Sequence, residues 1–269
     1  MIPKIIHYCW FGGNPLPELA LRCIESWKKN CPDYEIRRWD ESNFDLNYND
    51  YVREAYEAKK WAFVTDVVRL YALVNYGGIY MDTDVEVLKP LDDLLSYDAV
   101  SGFESETQIP TGLMACRDLH PMFREFLADY DGVHFKKEDG TYDTTTNVTR
   151  ITNTCLKYGL VQNNTLQTVN GFTLLPSDYL CPKDYRTGVL NITENTYTIH
   201  HFDGSWVGEY DKQLQNQIQK IYKKYGENGF AKFLVVLTGI KKRLGHFGVK
   251  ITVQHYIKKY IRRKTGGRI

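Results

Sequence analysis

The chain has 269 residues, 43% of them hydrophobic and 25% charged, a mixture that excludes a disordered polymer and suits one large α/β domain or two small ones. No stretch of bilayer-spanning length is both uncharged and predominantly apolar, so no transmembrane helix is expected. The formal net charge of +1 hides an asymmetry: no acidic residue follows Glu227 but eleven Lys and Arg do, leaving 23 basic against 33 acidic residues before that point, a net of −10.

In chain order, Ile2–Trp10 reads as a strand running into a loop at Gly12-Gly13. It opens without signal-peptide architecture. Pro17 starts a helix that sets Leu19, Cys23, Ile24 and Trp27 on one face. Tyr34–Trp39 is a second strand and Asp50–Lys60 a helix. Trp61–Asn75 has an amphipathic stripe of Phe63, Val67, Leu70, Tyr71 and Val74, stopped by Gly77-Gly78. Short strands follow at Ile79–Asp82, Val85–Leu88, Ala99–Phe103 and Leu113–Cys116. Helices are expected at Pro121–Tyr130 and Thr144–Tyr158, several short strands between Leu166 and His200, and a polar helix at Gly208–Tyr225. The strand–helix alternation predicts an α/β sandwich with a mostly parallel sheet, whose ligands bind beyond the carboxyl ends of the strands. A catalytic domain over 1–227 and a basic helical appendix over 228–269 are the expected divisions. Six scattered cysteines without a C-x-x-C pair fit reduced, buried thiols and a cytoplasmic protein.

The most informative segment is Gly77-Gly78-Ile79-Tyr80-Met81-Asp82-Thr83-Asp84. Two aspartates at i and i+2 on a continuing strand point the same way, and such a pair of like charges calls for a cation, a proton or a donor network. A hard divalent ion, Mn or Mg, meets that need and can grip a diphosphate. Asp66 and Arg69, i and i+3 on the preceding helix, are either a surface ion pair or a pair directed into a cleft, where the arginine fork suits oxygen-rich ligands. Downstream, His200-His201-Phe202-Asp203-Gly204-Ser205-Trp206 offers imidazoles for a metal and a glycine that admits phosphate close to the backbone.

These residues carry a family resemblance. Ile2-Pro3-Lys4-Ile5-Ile6-His7 with Trp10, then Asp66-Val67-Val68-Arg69 through Asp84, then His200–Trp206, resemble the DXD-sugar-binding glycosyltransferases of family 32, which include bacterial capsular polysaccharide transferases and resemble yeast mannosyltransferases and Golgi galactosyltransferases. The resemblance implies a GT-A fold and retention of configuration at the transferred sugar. It implies a nucleotide-sugar donor, with UDP preferred, and a glycan or lipid-linked acceptor in cell-surface polysaccharide synthesis. By it, Asp84 and His201 bind the metal, and Asp82 contacts ribose, sugar or the metal's waters. Asp66 and Arg69 hold the donor sugar, Trp10 walls the nucleobase and Tyr80 lies near the ribose. Gly204, Ser205 and Trp206 lie at the diphosphate, and Asn147 reaches sugar or acceptor. Phe202 stands where the family usually has tryptophan.

The tail predicts two amphipathic helices. Over Phe230–Leu244, Phe233, Leu234, Leu237, Ile240 and Leu244 form the apolar face. Over Val249–Lys264, Val249, Val253, Tyr256, Ile257 and Tyr260 do, with Lys258, Lys259, Arg262, Arg263 and Lys264 outside it or at its end. Docking on the catalytic domain and contact with an anionic membrane at the inner face of the cell are equally compatible with that pattern. Nucleic acid is not expected, since no binding motif accompanies the charge. Two rival functions use the same residues: a haloacid-dehalogenase-like phosphatase built on Asp82-x-Asp84, and a glycan- or membrane-binding protein without turnover.

Overall fold

The structure, a computed structural model, describes residues 1–109, 112–204 and 207–264, with the backbone alone at 250, 253, 254 and 256–264. Strand β1 (Ile5–Cys9) leads through α1 (Glu18–Asn30) to β2 (Glu35–Trp39), which lies parallel beside it with Ile5 opposite Glu35. Helix α1 starts behind Pro17 and buries Ala20, Cys23, Ile24 and Trp27, the spacing of one helical face. Helix α2 (Asp50–Glu57) is capped by Asn49, whose side chain accepts from the Val52 N–H at 2.9 Å. Helix α3 (Trp61–Tyr76) then returns the chain to the sheet and ends at Gly77.

The glycine pair does more than end a helix. Both residues hold positive φ, 61° at Gly77 and 97° at Gly78. A Cβ on Gly78 would stand 2.6 Å from the Ile5 carbonyl oxygen, and one on Gly77 2.7 Å from the Asp118 nitrogen. Bare backbone is what lets β3 (Gly78–Met81) slot beside β1 at the centre of the sheet.

The main sheet adds β5 (Ala99–Gly102), β6 (Leu113–Cys116), β7 (Gln167–Val169) and β8 (Phe172–Leu175), in the order β2-β1-β3-β6-β5-β8-β7. β6 runs against both its neighbours and β7 against β8, so five of the seven strands point one way. The architecture is the mostly parallel α/β sandwich that the sequence predicts. Period-two alternation divides it into two cores, one on each face. Tyr80, Met114 and Cys116 face one core with α3, α4 (Pro121–Ala128) and α5 (Asn147–Lys157). Ile79, Met81, Leu113 and Ala115 face the other, with α1. β4 (Val85–Val87) leaves the main sheet and pairs antiparallel with β9 (Thr198–His200), which the chain reaches after the single turn α6 (Ser177–Leu180).

Helix α3 differs from expectation. Val64, Asp66, Val67, Val68, Arg69, Leu70, Ala72, Leu73 and Val74 are all buried. Instead of one apolar stripe it is enclosed nearly all round, which carries Asp66 and Arg69 inside the protein and removes the surface ion-pair reading. All six cysteines are free and buried.

The chain divides into two compact units, Met1–Asp184 with Leu190–Trp206, and Tyr185–Val189 with Val207–Ile269. The second contains α7 (Glu209–Tyr225) and α8 (Gly229–Lys264), the latter interrupted at Gly248, where φ is 74° and ψ 175°. The side chains expected on the second tail helix at Val253, Tyr256–Tyr260 and Arg262–Lys264 lie outside the described residues.

Candidate functional site

The site forms where β3 ends. The strand stops at Met81, and Asp82–Val85 is a tight turn in which the Val85 N–H donates to the Asp82 carbonyl at 3.0 Å. Asp82 and Asp84 therefore converge by a turn rather than by alternation along a continuing strand. The Asp82 N–H is anchored to the Gly112 carbonyl at 2.8 Å, at the start of β6. From β9 comes His200, and single ligand atoms of Asp82, Asp84 and His200 all lie within 4.8 Å of one another. Two carboxylates and an imidazole at that spacing are a donor set that fits a divalent ion such as Mn or Mg.

The imidazole expected here was His201, and the structure places its neighbour instead. β9 pairs His200 with Val85, which sets the His200 ring against the turn, its Nε2 3.3 Å from Asp84 Oδ1. His201 turns away to Glu86 of β4, with Nε2 2.8 Å from the carboxylate. Successive residues of a strand edge face opposite ways, so the two histidines cannot both join the cluster. The backbone after β9 nevertheless wraps Asp84: the His201 N–H donates to its carbonyl at 3.0 Å and the Asp203 N–H to Oδ2 at 2.8 Å. Phe202 between them holds φ at 56°, a conformation that costs a bulky residue about 1–3 kcal/mol. Its ring lies 4.1 Å from that of His200. Gly204 follows at φ 58°. Ser205 and Trp206, expected at the diphosphate, lie outside the described residues.

Burial disfavours ionisation of Asp84, but the adjacent His200 and the Asp203 N–H outweigh it and hold the carboxyl at about 2. Asp82 moves the other way. Burial raises its pKa, and Arg69 and His200 only partly compensate. Two groups fix its orientation. The Tyr80 hydroxyl donates to Oδ1 at 2.8 Å, and Arg69 Nη2 stands 3.3 Å from the same oxygen.

Arg69 also stands 3.3 Å from Asp66 Oδ1 and lies over the Tyr80 ring at 4.7 Å, so Asp66, Arg69 and Asp82 form one buried chain of charge. Asp66 continues it: Oδ2 accepts from the Asn147 N–H, the first residue of α5, at 3.2 Å. A carboxylate at a helix N-terminus is favoured by the helix dipole. Two sequence expectations are corrected by this geometry. Tyr80 is 2% exposed, its ring covered by Arg69 and its hydroxyl spent on Asp82, so it supports the site from beneath rather than meeting a ribose. Asn147 is equally buried, and its amide donates to the Tyr130 hydroxyl at 3.0 Å, making it a tether between helices rather than an arm toward sugar or acceptor.

Trp10 follows β1 directly. The β1–β3 register pairs His7 with Tyr80, so the tryptophan stands just beyond the level of Asp82 on the adjacent strand, half-buried, with Nε1–H donating to the Asn14 carbonyl at 2.6 Å.

Two residues went unnoticed in the sequence. A Cβ on Gly112 would stand 2.8 Å from His200 Nδ1, so this glycine makes room for the ring. Glu104 lies beyond the carboxyl end of β5, which runs in the same direction as β3. Burial raises its pKa, with His200, Asp82 and Asp84 as its charged neighbours. An acidic residue just past a strand end, as with Asp82 and Asp84, was the available signal.

An α/β sandwich that gathers carboxylates and an imidazole beyond the carboxyl end of its central strand has an arrangement suited to a phosphorylated ligand held through a cation. Residues 17–101 match the family described as the glycosyltransferase sugar-binding region containing DXD motif. It is 37% identical over 130 residues to inositol phosphoceramide mannosyltransferase 3 of Schizosaccharomyces pombe, covering 47% of this chain and 36% of that protein. It is 27% identical over 197 residues to the uncharacterized glycosyltransferase L373 of Acanthamoeba polyphaga mimivirus, covering 68% and 74%. Among solved structures it is similar to the PaToxG glycosyltransferase, at 17% identity and a TM-score of 0.44, covering 58% of this chain and 68% of that one. The chain spans about a third of the length of the yeast mannosyltransferases and synthases that it matches.

Proposed function

We propose that the protein is a metal-dependent, retaining glycosyltransferase. It moves a hexose from a nucleotide-sugar, with UDP the preferred nucleotide, to a glycan or lipid-linked acceptor in cell-surface polysaccharide synthesis at the cytoplasmic side of a membrane. The observation that carries this reading is the convergence of Asp82 and Asp84, both inside the matched DXD region, with His200 from a segment more than a hundred residues later. The yeast relative's name, a mannosyltransferase of inositol phosphoceramide, supports a lipid-bearing acceptor and makes mannose a donor sugar to test.

Asp82, Asp84 and His200 would hold the ion, Mn or Mg, which when bound supplies positive charge to the departing diphosphate. The protein's own work is positional. Arg69 and Tyr80 lock Asp82 Oδ1 and leave its second oxygen for the ligand side. The backbone of His201–Asp203 fixes Asp84. Asp66 and Arg69 act on the donor sugar through Asp82, whose carboxylate Arg69 holds, Trp10 flanks the nucleobase, and the segment from Gly204 to Trp206 is assigned to the phosphates. Orientation of this kind lowers the barrier by placing the acceptor hydroxyl near the anomeric carbon. No side chain is assigned as a covalent nucleophile. Attack from the face of the departing phosphate, whose oxygen takes the acceptor's proton, gives retention.

The test is a panel of nucleotide-sugars with Mn, reading released nucleotide and product mass. Asp84→Asn and His200→Ala, verified as folded by circular dichroism, are expected to lose metal-dependent transfer, while His201→Ala keeps it. Wild-type transfer by folded Asp84→Asn overturns the reading. Release of phosphate from an aryl phosphate without sugar transfer replaces it with the phosphatase.

A further inference from the structure

Helix α8 has two apolar faces, and one is already used. Lys242, on the side toward α7, donates to Gln213 at 3.1 Å and lies over the Tyr210 ring at 5.4 Å. Ala231, on the same side, is fully buried, and Leu234 is half-buried. The other face carries Phe230, Phe233, Val236, Leu237, Leu244 and Phe247, every one exposed, with both Phe230 and Phe233 at 57%. At helical spacing these six fall within an arc of about 120°. Scattered exposed apolar residues need no explanation, but a stripe over the five turns from Phe230 to Phe247, with Ile240 half-buried at its middle, does.

The charges beside the stripe say what covers it. Lys232 and Arg243 lie along one border and Lys241 along the other, by the same spacing. No acidic residue follows Glu227. A second copy of this face would bring like charges together, whereas an anionic bilayer supplies both an apolar interior for the stripe and negative headgroups for its borders. No described helix is long and apolar enough to cross a membrane, which leaves insertion parallel to the surface. Leu234, assigned from sequence to the same face as Phe233, belongs to the inner side; Phe230, Val236 and Phe247 take its place outside.

We infer that the Phe230–Phe247 face of α8 is a membrane-binding surface that lies in the headgroup region of an anionic leaflet. This does not depend on the chemistry proposed for the Asp82–Asp84–His200 site.

The experiment is co-sedimentation of the full chain with vesicles of phosphatidylglycerol and phosphatidylcholine, and with phosphatidylcholine alone. Binding is expected to the anionic vesicles, to weaken with added salt, and to fall at least about tenfold in Phe233→Asp/Leu237→Asp. Both side chains are exposed, so the variant's circular dichroism is expected to match wild type. Lys241→Glu is expected to weaken binding several-fold and to reduce its salt dependence. Equal binding by wild type and the folded double variant overturns the proposal. So does a wild-type dimer that the double variant converts to a monomer with vesicle binding unchanged, since a second copy would then be the occupant. Nucleotide-sugar turnover on a soluble acceptor is recorded in parallel, so that failure of the site and failure of the surface are told apart.

Discussion

Gly112→Ala tests the site without touching a ligand. The added Cβ would stand 2.8 Å from His200 Nδ1 and 3.1 Å from Cε1, where ordinary contact begins at 3.4 Å. Relief at Nδ1 alone therefore requires the ring to retreat by about 0.6 Å, a displacement at which ligand geometry suffers. The ring has little room, because Phe202 lies 4.1 Å away, centroid to centroid. If Gly112 moves instead, its carbonyl drags the Asp82 N–H with it. Either response disturbs the Asp82–Asp84–His200 set. Losses of about 10–100-fold in metal affinity are typical when a ligand's support is disturbed, equivalent to about 1.4–2.7 kcal/mol. The assay is titration of Mn into the purified protein, followed by electron paramagnetic resonance of the free ion. Gly208→Ala is the control, since a Cβ there meets nothing within 4 Å. Gly112→Ala that is folded and binds Mn within twofold of wild type refutes the claim that His200 is a ligand held in place by that glycine.

Three further outcomes follow from the buried charges. Arg69→Ala leaves Asp66 and Asp82 inside the protein without their shared cation, and a loss of about 3–5 kcal/mol is expected in urea unfolding, with Arg69→Lys recovering only part of it. His7 is fully buried, with Nε2 2.8 Å from the Gly77 carbonyl and Nδ1 accepting from Trp39 at 3.1 Å; burial lowers its pKa to about 4. Its neutral form is favoured by the fold, so stability is full above pH 6.5 and declines as pH falls toward 4, by about 2 kcal/mol at pH 5, a slope that His7→Gln should lack when unfolding is measured across that range. Glu104→Gln removes a carboxylate whose pKa burial raises, so at pH 7 the variant should unfold at higher urea, yet bind Mn more weakly because one negative charge near the cluster is gone.

Much of this was legible in the sequence because strand period and glycine punctuation are local. Strand β3, the glycine pair at its start and the aspartates after it follow from a dozen consecutive residues. So does the break in α8, which the sequence divides between Leu244 and Val249 and the structure bends at Gly248. What failed was non-local. Choosing between His200 and His201 requires the β4–β9 register, and nothing within His200–Trp206 encodes which residue Val85 will oppose. Tyr80 and Asn147 look like ligand-binding side chains because tyrosine and asparagine often are. Their burial is decided by Arg69 folding over one and Asp66 receiving the other. An i, i+3 ion pair gives no sign of whether its helix will be enclosed, and α3 is enclosed because helices and sheet meet it on several sides.

The assembly also explains why the aspartates are unequal. Asp82 is supported from within the first core, by Tyr80 two residues back on β3 and by Arg69 of α3, elements contiguous in sequence from Trp61 onward. Asp84 depends on residues more than a hundred positions later, through His200, the His201 N–H and the Asp203 N–H. The first carboxylate is thus placed by the main sheet and the second by the small β4–β9 sheet. A chain ending before Thr198 would keep the strands of the main sheet and Asp82 with its arginine, but Asp84 would lose its imidazole and both backbone donors. The cation binding proposed for this site therefore rests on the returning segment as much as on the aspartate motif, and metal affinity should fall in such a truncation even where the sheet survives.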